Sequence, residues 1–432
     1  MNFEMLFAGA DDKPVESALI GVGEFGASLI AQGQRMPSLN VRVLCDQDTA
    51  RARAAAVAAG VDADQISVCD TVKAAQSAFD AGKTVILEDA TLINDLNIDI
   101  VVEATGVPEV AATNAIAAID GDQPSLLIGL VTWARVLGLE IVTAGKSSEY
   151  DFVYDPAQKS VSWRDQVVNV PDFDQLWQLP SSDLAETLAA RAEQLSAFPR
   201  RIVPDYCEMG VVCNAIGLKP DRSDFHAPIC RTVEVPEILR PAAFGGMLQR
   251  SGVVDVFNCL RRPDEASFAG GVFIVVRCSD EGTWKTLKGK GIPVSRANDH
   301  ALLYNPQHLL GLEAPISMLS AVRLGRSTGG ADPRPVVDLV ARAVAPLKAG
   351  MKFEISDPHH HTMHGVDSFL ADATPVTDQN PLPYYLALHQ TLKRDVAQGE
   401  MITADAVDLP ETSRLVQLRQ EQDRFFGMPA GR

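Results

Sequence analysis

The sequence predicts an α/β chain: an N-terminal parallel sheet flanked by helices, then an α+β part, then a shorter C-terminal part. Three observations carry this. Strand-like and helix-like runs alternate from "SALIGVG" (17–23) to "LEIVTAG" (139–145). Three glycines, Gly21, Gly23 and Gly26, punctuate the first strand-to-helix turn. Beyond Tyr150 the alternation gives way to mixed runs such as "GVFIVVRCS" (271–279).

The elements follow in order. The strand "SALIGVG" leads into the helical run "EFGASLIAQGQRM", and "VRVLCDQD" into the Ala-rich "TARARAAAVAAG". After "QISVCD" comes the helical "TVKAAQSAFDAG". The strand "IDIVVEATG" is followed by a helix over "VPEVAATNAIAAID" (107–120) and by "LEIVTAG". Such alternation implies right-handed βαβ units in a parallel sheet. The aperiodic "VPDFDQLWQLPSSD" (170–183) is expected to be a surface connection. The expected divisions are a dinucleotide-binding domain over 1–150, a catalytic, substrate and dimerisation domain over 151–334, and a C-terminal module over 335–432.

Composition narrows the function. With 432 residues, 46% hydrophobic and 22% charged, the chain can bury two or three cores. Its net charge of −18 argues against nucleic-acid and anionic-membrane partners. The first residues carry Glu4, Asp11 and Asp12 without a basic region, unlike a secretory signal, and no apolar run approaches the ~18–20 residues of a spanning helix. Seven scattered cysteines without a Cys-x-x-Cys pair are expected to be reduced thiols of a cytoplasmic protein.

The glycine turn suggests a cofactor. In a dinucleotide (Rossmann) fold the first glycine makes the tight turn, the second admits the pyrophosphate, and the third lets helix and strand pack closely. The helix that begins with Glu24 and Phe25 offers free N–H groups to phosphate oxygens. Asp46, twenty residues after Gly26, stands where a carboxylate holds the ribose hydroxyls of NAD. Arg51 and Arg53 could instead meet the 2′-phosphate of NADP, so both cofactors remain open. Thr105 and Gly106 close the strand of "EATG", where ligands gather at carboxyl ends. Lys146 ends "IVTAGK", expected at the same sheet edge as the glycine turn. A lysine there can protonate or polarise a carbonyl that receives a hydride.

The order GxGxxG, "EATG" and "VTAGK" resembles homoserine dehydrogenases, whose corresponding phrase is usually VTANK; Gly145 stands here for the Asn. Over nearly the whole chain, "CEMGVVCNAIGLKPD", "GGMLQRSGVVDV", "GVFIVVR", "ALLYNPQHLLGLEAPIS" and "LKRDVAQGEMITADAV" resemble the deoxyxylulose-phosphate-reductoisomerase-like (DRL) family. The resemblance implies a Rossmann domain, a distinct catalytic domain and a C-terminal SAF-like β-clip module, in a homodimer. It implies NADP(H) ahead of NAD(H), a Mg or Mn ion, and conversion of 1-deoxy-D-xylulose 5-phosphate to 2-C-methyl-D-erythritol 4-phosphate for isoprenoid synthesis. The alternative is a homoserine-dehydrogenase-like oxidoreductase of another sugar, sugar-acid or polyol derivative, without rearrangement. A third class, a sensor without catalysis, needs the glycine turn but neither Lys146 nor Glu208.

Within the family-like phrases, Lys146 and Glu208 are the candidate catalytic pair, and Asn214 joins Glu208 in lining the substrate pocket. Asp205 and Asp221 are expected to be solvated. Lys285, Lys288 and Lys290 in "KTLKGKGIP" would place cations on a glycine-rich, phosphate-binding loop. Tyr304, His308 and Glu313 are further candidates; Asn305 and Gln307 depart from the family's LYRPYHL form and put phosphate recognition in question. The metal ligands stay unassigned. "DPHHHTMHG" spaces His359, His360, His361 and His364 like zinc or nickel ligands, yet without Cys or Glu to complete a set it reads as a surface loop.

Overall fold

The computed structural model describes residues 6–7, 13–107, 123–180, 184–277, 280–357 and 360–428. By contacts the chain divides into two compact units. One comprises Met1–Asp122, Leu309–Gly329 and Pro410–Arg419; the other comprises Gln123–His308, Gly330–Leu409 and Gln420–Arg432. Among the described residues, no helix is long and apolar enough to cross a membrane.

The first unit holds a five-stranded sheet. Strand β1 (Val15–Ile20) leads into α1 (Glu24–Gly33), β2 (Leu39–Cys45) into α2 (Thr49–Ala58), and β3 (Ile66–Cys69) into α3 (Val72–Asp80). Strands β4 (Thr84–Leu87) and β5 (Ile100–Glu103) complete the order β3-β4-β2-β1-β5, every neighbour parallel. The chain winds outward from β1 through β2, then returns to place β5 on the other side. That reversal is where open parallel sheets bind ligands. Side chains alternate between two buried clusters: Leu19 and Leu44 point to one face, Ala18, Ile20, Val43 and Cys45 to the other. The first face also packs Ala314, Met318 and Leu319 of the helix Ala314–Leu324. Asp48 and Thr71 cap α2 and α3 through side-chain acceptors to Arg51 and Ala74 N–H. Of the helix expected over 107–120, all but Val107 lies outside the described residues.

The second unit is built on a mixed sheet. Its first elements are α4 (Gln123–Val136), β6 (Glu140–Ser147), β7 (Phe152–Asp155), β8 (Ser160–Trp163) and β9 (Gln166–Asn169). Then come α5 (Leu184–Gln194), α6 (Val203–Ile216), and the short strands β10 (Lys219–Pro220) and β11 (Ile229–Cys230). Strands β12 (Val253–Arg261) and β13 (Val272–Arg277), helix α7 (Glu281–Gly289) and strand β14 (His300–Asn305) follow. The sheet runs β14-β13-β6-β12-β7-β8-β9, with β10 and β11 also paired to β12. Strand β6 is parallel to β12 and antiparallel to β13. It therefore does not extend the glycine-turn sheet, as the regular alternation suggested. Although helix α4 precedes it, β6 is taken up on both edges by the buried strands β12 and β13.

Both faces of this sheet are buried, as period-two alternation along β13 shows. Val272, Ile274 and Val276 face α4 and α6, whereas Phe273 and Val275 join the opposite cluster. Residues 170–183 are not the surface connection expected: Phe173 is fully buried, with Val170, Trp177 and Leu179, while residues 181–183 lie outside the described residues. The aromatic rings around Tyr154 draw that segment inward. In the C-terminal segment β15 (Val337–Ala343) pairs antiparallel with β18 (Val366–Asp372), and β16 (Ile355–Asp357) with β17 (Thr362–Met363). Val337 and Leu370 close over the α6 face.

Candidate functional site

The first unit presents a cleft of about 630 Å³ at the carboxyl ends of its strands, lined by Gly21, Val22, Gly23, Asp46, Arg51, Thr105 and neighbours. Each glycine has its own reason. Gly21 has φ +90°, and a Cβ there would stand 2.7 Å from the carbonyl carbon of Ala104. At Gly26 a Cβ would strike Gly21 O, so α1 could not approach β1. A Cβ on Gly23 meets nothing, leaving open space above the turn. These are the shapes a pyrophosphate cradle requires. Glu24 is exposed in the first turn of α1, and Phe25 packs partly into the core, so a ligand there would meet their backbone. Thr105 donates N–H and Oγ–H to Glu103 and accepts from Val107 N–H; Gly106 takes φ +68°.

Asp46 is more than a reader of ribose. Its Oδ2 accepts Val22 N–H at 2.7 Å and its Oδ1 accepts Asp48 N–H at 2.9 Å. Arg51 Nη2 reaches both oxygens, at 2.7 and 2.8 Å. Burial pulls the Asp46 pKa up, but the two N–H groups and the guanidinium outweigh it and hold the carboxyl below its usual range. A carboxylate has about four acceptor positions, and here all are engaged. Asp46 thus fastens the glycine turn, while the Arg51 side chain stays 57% exposed at the lip. Arg53 instead donates to Ala63 O.

The second unit brings Lys146 and Glu208 together. Lys146 lies on β6 opposite Val256 and Val272, on the face that α6 covers. Asp205 and Glu208, three residues apart on α6, share one side of that helix. Lys146 Nζ is 2.6 Å from Glu208 Oε2 and 3.1 Å from Asp205 Oδ1, with the lysine 0% and the Glu208 side chain 15% exposed. Ser148 Oγ–H donates to Asp205 Oδ2 at 2.8 Å. Burial alone would lower the Lys146 pKa. The charges of Glu208 and Asp205, the hydrogen bond to Glu208 and the charge of Glu149 overturn this and raise it. The group is therefore held as an ammonium. Asp205, expected to be solvated, is the fully buried counter-ion; its i, i+3 spacing from Glu208 was the signal for it. Gly145 has a steric cause, since a Cβ there would strike Asp255 O.

The other expectations fare differently. Asn214 is held by backbone: its side chain accepts Val336 and Val337 N–H at 2.7 and 2.9 Å and donates to Val337 O, pinning β15 to α6. Lys285 and Lys288 lie on helix α7, not on a loop, and Lys290 caps its C-terminal end. Exposed at the negative end of a helix dipole, Lys288 (bonded to Asn298 Oδ1) and Lys290 lack the convergent N–H groups that would hold a phosphate. Tyr304 lies edge-on against Phe268 and lines a separate cavity with Arg231, Arg261 and Glu265. The His308 ring sits against Gly270, and Glu313 accepts Leu309 N–H. Asp221 is shielded beside His226, which also contacts the buried Asp255.

The histidine run is not a surface loop throughout. His360 is buried against Tyr150 and Trp163 and ion-paired to Asp357 at 2.8 Å; His361 is half-buried and His364 exposed. The aromatic cluster supplies the apolar surface that draws His360 in. His359 lies outside the described residues. Among the described residues no group of three or more His, Cys, Asp or Glu side chains is arranged to hold a metal ion. A Mg or Mn ion has no fitting seat at Lys146, because the ammonium fills the space on which Asp205 and Glu208 converge.

Comparison with known proteins adds one assignment. The family described as "Oxidoreductase DRL, catalytic domain" matches residues 121–314. No curated protein matches the sequence significantly. Among solved structures, the chain is similar to a myo-inositol dehydrogenase from Corynebacterium glutamicum, at 12% identity, covering 73% of this chain and 90% of that one. The TM-score is 0.23. With residues 121–314 matching a DRL oxidoreductase catalytic domain and a dinucleotide-type glycine cleft in the other unit, the chain is an NAD(P)-dependent oxidoreductase.

Proposed function

We propose that the chain uses NADP(H) to reduce a small sugar-like carbonyl compound, with 1-deoxy-D-xylulose 5-phosphate as the first candidate substrate. The observation that carries this reading is the Lys146 ammonium, buried between Asp205 and Glu208. Gly21, Gly23 and Gly26 would hold the pyrophosphate of the cofactor, and Arg51 its 2′-phosphate. When bound, the nicotinamide supplies a hydride. A carbonyl carbon that accepts hydride leaves negative charge on its oxygen. Lys146 stabilises such an alkoxide at once, because its charge is fixed and its position is held from two sides. Lys146 can then give the alkoxide its proton as a general acid, and Glu208, with its side chain 15% exposed, is the partner through which water returns one. Preference for NADP(H) is supported by Arg51, which occupies the acceptors of Asp46 that the ribose diol of NAD would need.

A second reading is reduction of another sugar, sugar-acid or polyol derivative without rearrangement. Two observations favour it: Lys288 and Lys290 offer no phosphate cradle, and Asp205 and Glu208 grip an ammonium where a rearranging ketose would need a chelating ion. Steady-state oxidation of NADPH and of NADH, over a panel of free and phosphorylated ketoses with and without added Mg, separates the readings. Turnover of 1-deoxy-D-xylulose 5-phosphate to a branched product supports the first. Turnover only of unphosphorylated carbonyls, indifferent to Mg, supports the second. No oxidation of either nucleotide by any carbonyl compound would refute both.

A further inference from the structure

The sheet of the second unit carries polar groups on both faces. On β13, Val272 is the register partner of Lys146 and Phe273 that of Tyr304, so Tyr304 lies on the face opposite Lys146. There the rings of Phe257, Phe268, Phe273 and Tyr304 adjoin one another. Phe268 and Tyr304 line a cavity of about 280 Å³ together with Arg231, Arg261, Glu265 and Pro293. That volume suits a small metabolite. The charged side chains of its lining are two guanidiniums and one carboxylate, a locally positive wall in a chain of net charge −18.

The two guanidiniums are firmly held but not saturated. Arg191 shows what saturation looks like: all three of its guanidinium nitrogens donate, to Leu176 O, Ile229 O, Trp177 O and both oxygens of Glu234. Arg231 is anchored to the same glutamate by its backbone N–H at 2.9 Å, and its guanidinium lies 4.7 Å from the centre of the Trp177 ring. That guanidinium makes a single hydrogen bond, 3.3 Å long, to Glu265 Oε1; Nε and Nη1 have none among the described residues. Arg261 is fixed through Nε by Asp151 at 2.6 Å and through Nη1 by Arg262 O and Glu265 O, and Nη2 has no hydrogen bond among the described residues. The Tyr304 hydroxyl has none there either, and its side chain is exposed. A guanidinium has five N–H donors, and its fork matches the oxygens of phosphate and carboxylate. The structure assigns this cavity to a small oxyanion, a phosphate or carboxylate on a short carbon body. Arg231 Nη1, Arg261 Nη2 and the Tyr304 hydroxyl would hold the anion, and Phe268 and Pro293 the body. Glu265 is the built-in competitor, since an arriving anion must draw Arg231 from its weak bond. The sheet stands between this cavity and Lys146, so its ligand is not the carbonyl compound reduced there.

Isothermal titration calorimetry of the full-length protein, at constant ionic strength, tests the assignment with inorganic phosphate, glycerol 3-phosphate and succinate as probes. Saturable binding is expected, and comparison of glycerol 3-phosphate with succinate tells phosphate from carboxylate. Arg231→Gln should weaken the best probe about tenfold or more, as charge-assisted hydrogen bonds are the strong ones. Glu265→Gln should tighten it several-fold by removing the competing carboxylate, a sign that a purely structural Arg231–Glu265 pair does not give. Arg51→Ala should leave it unchanged. No binding of any probe, or equal affinity in Arg231→Gln and wild type, overturns the assignment. So does an affinity lost in Arg51→Ala instead, which would put the anion in the glycine cleft of the other unit and leave the reading of that cleft intact. Should Arg231→Gln lose its thermal transition, Glu265→Gln and Tyr304→Phe decide alone: tightening in the first and weakening in the second uphold the site, and any other result overturns it.

Discussion

Replacing Lys146 with Met removes the one cation from a site that keeps two carboxylates. Their oxygens lie 2.6 and 3.1 Å from the position of Nζ, and Asp205 has no path to water. Removing one partner of a buried ion pair costs about 3–5 kcal/mol, because a buried charge is left uncompensated. The lower part of that range is expected here, since Glu208 touches solvent and Ser148 still donates to Asp205. The sign with pH follows. The Lys146 pKa is raised above its ordinary 10.5, so the pair's contribution to wild-type stability is complete below that value and fades only as pH climbs towards the folded pKa. In Lys146→Met the orphaned carboxylates gain pKa instead, so the penalty should shrink as pH falls and they protonate. Urea denaturation at about pH 5 and pH 8 measures both effects, and Lys146→Met with Glu208→Gln should recover part of the loss. In NADPH oxidation kcat should fall about 10²–10⁴-fold, the usual contribution of positioned acid catalysis, with cofactor affinity little changed. A variant as stable as wild type at pH 8 that also turns over normally would refute the reasoning.

Three further outcomes are expected. Gly23→Ala should fold normally and lose most NADPH affinity in a fluorescence titration, because its added methyl meets only the space reserved for the ligand. Arg51→Ala should weaken NADPH binding more than NADH binding, by about tenfold or more, as loss of a charge-assisted hydrogen bond is worth roughly 1.5–3 kcal/mol; equal losses would remove Arg51 from cofactor choice. Asn214→Ala leaves the N–H groups of Val336 and Val337 without their acceptor, so stability should drop by about 1–3 kcal/mol. Its substrate KM should stay constant, and a KM effect without loss of stability would restore the pocket-lining role.

What could be read from the chain divides by range. The glycine turn was legible because its spacing is local: Gly26 avoids a clash with Gly21 itself, although Gly21 avoids one with Ala104 beyond β5. Lys146 was legible as a charged residue at the end of a buried strand, but its sheet was not. Its neighbours β12 and β13 follow more than 100 residues later, and no periodicity records which strands pair across such a gap. Asp205 was visible in principle: on α6 it shares the face of Glu208, where a single carboxylate facing a buried ammonium would have been the less complete arrangement. Asn214 shows a second limit of range. A polar residue in an apolar helix suggests a ligand, yet backbone N–H groups at the start of a strand need acceptors just as much, and an amide side chain satisfies several at once. The reaction centre is thus distributed as its chemistry demands. A charge can be supplied by one strand, but holding it away from water requires carboxylates from a helix that meets that strand only in the folded chain.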